Sequence, residues 1–154
     1  MFFLLLFSAR CPTSWVKHGV SCYYINDTAT LKMMDARNEC QSMGGDLPII
    51  KSAEEDAFLL DLMNNQTTVT KFGGWIGLVR KAADSEFYWI DDTPLEGQEQ
   101  YTAWSRREPN NLGGNEDCAN KYANIHDRKW NDFPCEFEAN HQETAPVVLC
   151  QKPL

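Results

Sequence analysis

The chain has no apolar run long enough to cross a bilayer, which takes about 20 residues; its apolar opening, Met1 to Phe7, is far shorter. It is short of positive charge. Fourteen Lys and Arg stand against 22 Asp and Glu, for a net charge of -8, and only Arg106-Arg107 and Arg128-Lys129 form basic pairs. Nucleic acid is therefore excluded as the main partner, because phosphate binding relies on a basic surface. There is no Cys-x-x-Cys, and His18, His126 and His141 are scattered, which argues against a zinc site. A Gly-x-Ser-x-Gly elbow, a His-Glu-x-x-His helix, a phosphate loop and EF-hand spacing are all missing. No enzyme class is indicated. Without repeats, low-complexity tracts, linkers or heptads, the chain is expected to hold one domain.

What is present fits a globular protein of 154 residues, 43% hydrophobic and 23% charged, with five Trp, five Tyr and eight Phe for core volume. Such a length buries roughly 70% of the unfolded surface. Six cysteines, Cys11, Cys22, Cys40, Cys118, Cys135 and Cys150, are an even number and point to a disulfide framework. Spacing alone leaves their pairing open. Met1 to Phe7 followed by Ser8-Ala9 reads as a short secretory leader without a basic start. Asn26-Asp27-Thr28 and Asn65-Gln66-Thr67 are glycosylation sequons. The three signals agree on a secreted protein, with residues 1–10 as leader and 11–154 as the domain.

The pattern predicts an α+β fold. Ser21 to Ile25 reads as a strand and Thr30 to Met43 as a helix closed by Gly44-Gly45. A second helix starts at Ser52, where Glu55 completes a capping box, and carries Phe58, Leu59, Leu62 and Met63 at helical spacing before Asn64-Asn65. Short strands are expected at Trp75–Val79, Phe87–Ile90, Cys118–Asn124 and Pro146–Gln151. Between Asp91 and Asp117 lie Pro94, Gly97, Pro109, Gly113 and Gly114, a long and functionally suggestive loop.

Oxygen-bearing side chains crowd that loop and the later Trp130-Asn131-Asp132. Glu108, Glu116 and Asp132 offer carboxylates, and Asn110 and Asn131 offer amide oxygens. Calcium takes six to eight hard oxygens and tolerates irregular loops. Three carboxylates drawn together repel one another unless a cation lies among them. A Ca2+ site is therefore the expectation, with positions left for ligand hydroxyls. A cis bond at Pro109 would turn Glu108 and Asn110 toward one ion. The same carboxylates could serve as a glycosidase pair, but acids that hold calcium are not free to donate protons.

Trp75-Ile76-Gly77-Leu78, Trp104 ahead of Glu108-Pro109-Asn110, Glu116-Asp117-Cys118, Trp130-Asn131-Asp132 and Cys150, together with Gly44-Gly45-Asp46-Leu47, resemble a C-type lectin domain from Cys11 to Lys152. The resemblance implies a double-loop fold of two helices and small antiparallel sheets. It implies the disulfides Cys11–Cys22, Cys40–Cys150 and Cys118–Cys135 and a cis Pro109. It also implies that Glu108, Asn110, Glu116, Asn131 and Asp132 bind both calcium and carbohydrate, Asp132 adding its backbone carbonyl. The Glu108/Asn110 order resembles the mannose-type arrangement, so mannose, glucose, N-acetylglucosamine or fucose is expected over galactose.

The chain departs from that pattern at Arg80 and Asn111, where calcium-rich members carry acids, and a second ion is not expected from Asp117 and Asp84 alone. Leu112 offers only apolar contact beside the sugar. Trp75, Trp89, Trp104 and Trp130 are expected in the core rather than as sugar platforms. His126 and Arg106-Arg107 read as solvated. The expected function is a secreted, calcium-dependent lectin for mannose-type glycans in innate immune or glycan recognition, with homo-oligomerisation left open. The alternatives are a matrix or biomineral protein, whose negative charge would meet mineral, and a venom- or antifreeze-like module that uses the fold to bind protein or ice.

Overall fold

The computed structural model describes residues 9–65, 72–82, 86–97, 100–124, 126–138, 140 and 144–154. The leader-like Met1 to Ser8, the sequon residues Gln66 and Thr67, Asp84 and His141 lie outside them. In chain order the elements are β1 (Val16–His18), β2 (Ser21–Ala29), α1 (Met33–Ser42), α2 (Ala53–Asn64), β3 (Gly74–Arg80), β4 (Phe87–Trp89), β5 (Cys118–Lys121), β6 (Trp130–Phe133) and β7 (Val147–Pro153), with a 3-10 turn at Leu112–Gly114. The α+β class expected from the pattern is the one present. No helix among the described residues is long and apolar enough to cross a membrane.

The strands form one sheet in the order β1-β2-β7-β3-β5-β6, with β4 beside β3. All pairings are antiparallel except β3 with β7, which meet in parallel at Gly74↔Val147. The sheet is thus mixed rather than purely antiparallel, and it begins before the helices. Two strands escaped the sequence pattern. β1 has only three residues, and β6 is buried on both faces at Trp130, Asn131 and Asp132, so neither alternates.

Helix α1 starts later than its periodicity suggests. Thr30 N–H donates to Pro146 O at 2.9 Å and Lys32 bridges Glu136, so those residues belong to the C-terminal layer. The helix ends at Ser42, with Met43 as its C-cap and Gly44 left-handed at φ 78°. In α2, Ser52 Oγ accepts from Glu55 N–H at 3.1 Å. The other half of the capping box is shifted, because the Glu55 carboxylate accepts from Lys51 N–H at 2.6 Å rather than from Ser52.

The core falls into two clusters. One joins α2 to the loop stem and holds buried Trp89 and Trp130, with Trp104 half-buried against it; the other joins α1 to β7 and holds buried Trp75. Disulfides join Cys11–Cys22, Cys40–Cys150 and Cys118–Cys135. The second ties α1 to β7; the third ties the start of β5 to the residue two beyond β6. Each restricts the unfolded chain. Asn26, in β2, donates its amide to Glu39 at 2.9 Å.

Gly73 enters β3 at φ 65°, and a Cβ there would collide with Lys121 O. Its own carbonyl accepts from Val147 N–H at 2.8 Å, at the junction of three strands. Positive φ and overpacking each cost about 1–3 kcal/mol. Gly73→Ala is expected to lower the melting temperature by about 5–15 °C, read by scanning calorimetry. An unchanged transition would show that the junction relaxes freely.

Candidate functional site

Asp132 is fully buried in β6, and its carboxylate holds the long loop. Oδ1 accepts from Asn110 N–H at 3.0 Å and Oδ2 from Asn111 N–H at 2.7 Å. The Arg80 guanidinium approaches Oδ2 at 3.3 Å, lies 3.6 Å from Asp117, and rests over the Phe87 ring. Charge-assisted bonds of this kind are about twice as strong as neutral ones. Arg80, the residue that stands where an acid was wanted, thus serves as a fixed cation behind the loop.

The loop then folds on itself. The Glu108–Pro109 bond is cis. Glu108 Oε1 accepts from Asn110 Nδ2 at 2.9 Å, and Asn110 Oδ1 accepts from Leu112 N–H at 2.8 Å. Asn111, left-handed at φ 49°, accepts through Oδ1 from Glu116 N–H at 3.1 Å. Glu116 returns the contact, accepting from Leu112 N–H at 2.7 Å. Asn131, buried beside Asp132, donates Nδ2 to the Asp132 carbonyl at 2.6 Å and approaches Asn120 Oδ1 at 3.4 Å. Glu108, Asn110, Glu116 and Asp132 are thereby linked through one loop, with Asn131 on the strand below.

These groups carry unbalanced negative charge. Burial pushes the Glu108 carboxyl up to about 7, and neighbouring Asp132 and Glu116 add to the rise. Burial also raises Glu116; Leu112 N–H and Arg80 oppose that rise, and Asp132 adds to it. Glu108 Oε2 is buried without a hydrogen-bond donor. An orphaned, buried carboxylate oxygen among like charges is what a hard cation would relieve. As the side chains stand, no three acidic, imidazole or thiol groups among the described residues close into a metal cage. The loop amides occupy the oxygens instead. The donor set fits calcium in chemistry, and its amide side chains would have to turn for it to close.

β6 is fixed from behind by a buried ion pair that the sequence pattern did not reveal. Lys121, 1% exposed, places Nζ 3.0 Å from Asp56 Oδ2 and 2.8 Å from Arg128 O. Asp56 Oδ1 accepts from Trp130 Nε1 at 2.7 Å. Three aromatic rings, Trp89, Tyr101 and Trp104, pack edge-on to Trp130 within 6 Å. The backbone joins in: Trp130 N–H donates to Ala103 O and Ser105 N–H to Trp130 O, both at 2.8 Å. Helix α2, β5 and the loop stem therefore all set where Asn131 and Asp132 begin.

The fold has known counterparts. The lectin C-type domain model matches residues 29–141, and the chain belongs to the C-type lectin domain family. It is similar to C-type lectin domain family 4 member E of Mus musculus, 35% identical over 82% of this chain and 56% of the mouse protein, so it spans about half of that relative's length. Among solved structures it is similar to the cow CD23 carbohydrate-recognition domain, solved in the presence of a GlcNAc2Man3 oligosaccharide. That match has 31% identity, a TM-score of 0.73, and covers 94% of this chain and 97% of that one. A calcium-independent type II antifreeze protein is also similar, with 28% identity and a TM-score of 0.70 over 94% and 95% of the chains. The chain is a C-type lectin carbohydrate-recognition domain with three disulfides.

Two measurements probe this architecture. Asp56→Ala strands the Lys121 ammonium in the core and is expected to cost about 3–5 kcal/mol in urea unfolding. Lys121→Met in the same background should recover most of that loss; no recovery would mean that the charge pair is not the cause. The raised Glu108 pKa also has a sign. Between about 7 and its ordinary value of 4.5, the folded chain holds more protons there than the unfolded chain. Without calcium, this group's contribution to stability is expected to grow as pH falls through that window. Glu108→Gln should remove this part of the pH dependence, and identical pH–stability curves for both proteins would refute the assignment.

Proposed function

We propose that the chain is an extracellular, calcium-dependent lectin for mannose-type glycans: mannose, glucose, N-acetylglucosamine or fucose. The observation that carries this reading is the buried Glu108 carboxylate oxygen left without a donor, beside Asn110 and facing the charge of Glu116 and Asp132. Three disulfides support an oxidising, extracellular setting.

Glu108, Asn110, Glu116, Asn131 and Asp132 would hold the ion, with the Asp132 carbonyl released from Asn131. Calcium, when bound, supplies open coordination positions for two vicinal hydroxyls. The carboxylate of Glu108 accepts a hydrogen bond from one hydroxyl, and the amide of Asn110 donates to another. Asp132 keeps the loop seated through the Asn110 and Asn111 amides, so the sugar meets a largely formed surface. Leu112, 71% exposed at the loop turn, adds apolar contact. Arg80 already supplies positive charge to Asp117 and Asp132, so the expected stoichiometry is one calcium. Few atoms contact a single sugar, and useful strength comes from displaying several copies. Recognition of microbial or host glycans is the role this supports.

A second reading has its own support. The amides and Arg80 satisfy Asp132 without any ion, which suits a calcium-independent binding module. A panel of immobilised sugars with and without EGTA separates the two. Calcium-dependent retention by mannose-type sugars is expected, and no calcium-dependent signal on any glycan would sink the lectin reading. At calcium about 100-fold above its dissociation constant, unfolding should shift by about 2.7 kcal/mol. The double substitution Glu108→Gln with Asn110→Asp is expected to move preference toward galactose; unchanged competition by mannose would count against direct hydroxyl coordination.

A further inference from the structure

Two dibasic pairs, far apart in sequence, meet on one rim of the site. Arg106 and Arg107 lead into Glu108, and Arg128 and Lys129 lead into Trp130. Asp127 fastens the two turns together. It accepts from Ser105 Oγ at 2.8 Å, from Lys129 N–H at 3.3 Å and from the Arg106 N–H. Burial alone would raise this carboxyl, but those donors outweigh it and hold its pKa below the ordinary range. Its lone pairs are spent on backbone and hydroxyl donors. Tyr122 N–H to Lys129 O at 2.9 Å and Lys121 Nζ to Arg128 O at 2.8 Å then fix the second turn onto β5.

The four cationic side chains are exposed, and among the described residues none of them forms an ion pair or a side-chain hydrogen bond. Asp127 and Glu108, whose N–H closes the first turn onto Ser105 O at 3.0 Å, are the two acids in these turns, against four basic residues. Such a local surplus of positive charge is notable in a chain of net charge -8. Two of the four also sit where glycine would be cheaper, Arg107 at φ 71° and Arg128 at φ 62°. The rim abuts the carboxylate cluster. Glu108 follows Arg107 directly, and Tyr122 feels Glu108, Glu116, Asp132 and Asp127 together while its ring packs 4.6 Å from His126.

We infer that this rim is a second contact for acidic glycans. Arg106, Arg107, Arg128 and Lys129 would engage an anionic group, a sulfate ester or a carboxylate, on the saccharide residue next to the one held at the Glu108–Asp132 cluster. The guanidinium forks match planar or tetrahedral oxyanions two oxygens at a time. Neutral chains would gain nothing from the rim. The inference rests on the lectin reading for the position of the first sugar, and it adds the class of glycan preferred.

The test uses the full chain and three mannose-terminated oligosaccharides: a neutral parent, the same chain with one sulfate, and the same chain with one uronic acid. The acidic probes are expected to bind about tenfold tighter than the parent at low salt, with the advantage shrinking as salt rises. A variant with Arg106→Gln, Arg107→Gly, Arg128→Gly and Lys129→Gln keeps the left-handed turns and should bring the acidic-to-neutral ratio close to one. Its affinity for the parent should be unchanged. Whichever acidic probe shows the larger ratio identifies the anion. Equal affinity for all three probes, or an advantage that survives in the variant, would overturn the inference. Loss of parent binding in EGTA reports separately on the calcium reading. Should the parent never bind, acid-probe binding that the variant loses still supports the rim, and no binding of any probe overturns both.

Discussion

A carboxylate taken wholly out of water must be met by donors or by positive charge, and Asp132 makes that demand at the centre of this domain. Its two oxygens draw the Asn110 and Asn111 amides down onto β6 and bring Arg80 in behind. Without it the loop from Asp91 to Asp117 would have little to fasten its far end. Burial of Asp132 depends in turn on Trp130, whose indole is clamped by Asp56 and three aromatic rings. The site is therefore an extension of the core, and the loop is held both by Asp132 and by its own internal bonds.

The arrangement also keeps two electrostatic tasks apart. Arg80 balances Asp132 and Asp117 on one side, while Glu108 keeps one buried oxygen without a donor. A cation that is part of the chain cannot be removed by a chelator. Loop order and ion binding need not rise and fall together, in contrast to small domains that fold only around their metal.

Much of the fold was legible in the sequence because local chemistry specified it. Ser52 and Glu55 marked the start of α2, Gly44 marked the end of α1, and short aromatic or β-branched runs marked β3 and β4. Strand β6 was missed because burial on both faces erases alternation, although Trp130-Asn131-Asp132 stood out as oxygen donors. The Asp56–Lys121 pair was invisible for another reason. Asp56 looks like an ordinary first-turn acid of a helix, and Lys121 closes a short strand where lysine normally reaches solvent. A lysine continuing the buried run Cys118-Ala119-Asn120 was the available signal. The loop's internal bonds were likewise beyond reading, since Asn111 to Glu116 and Asp132 to two amides depend on how distant segments meet.

The pairing of β2 with β7 has a consequence for how such a domain can be wired. Ser21 lies opposite Pro153, and Leu154 N–H reaches back to Val20 O at 2.9 Å. Cys11, bonded to Cys22, and Leu154, hydrogen-bonded to Val20, thus lie on the side of the sheet away from β6. A tether fused at either end would leave the loop pointing outward, and a short linker could close the two ends into a ring. New termini could then be opened elsewhere, making this domain a candidate for circular permutation with its binding face untouched.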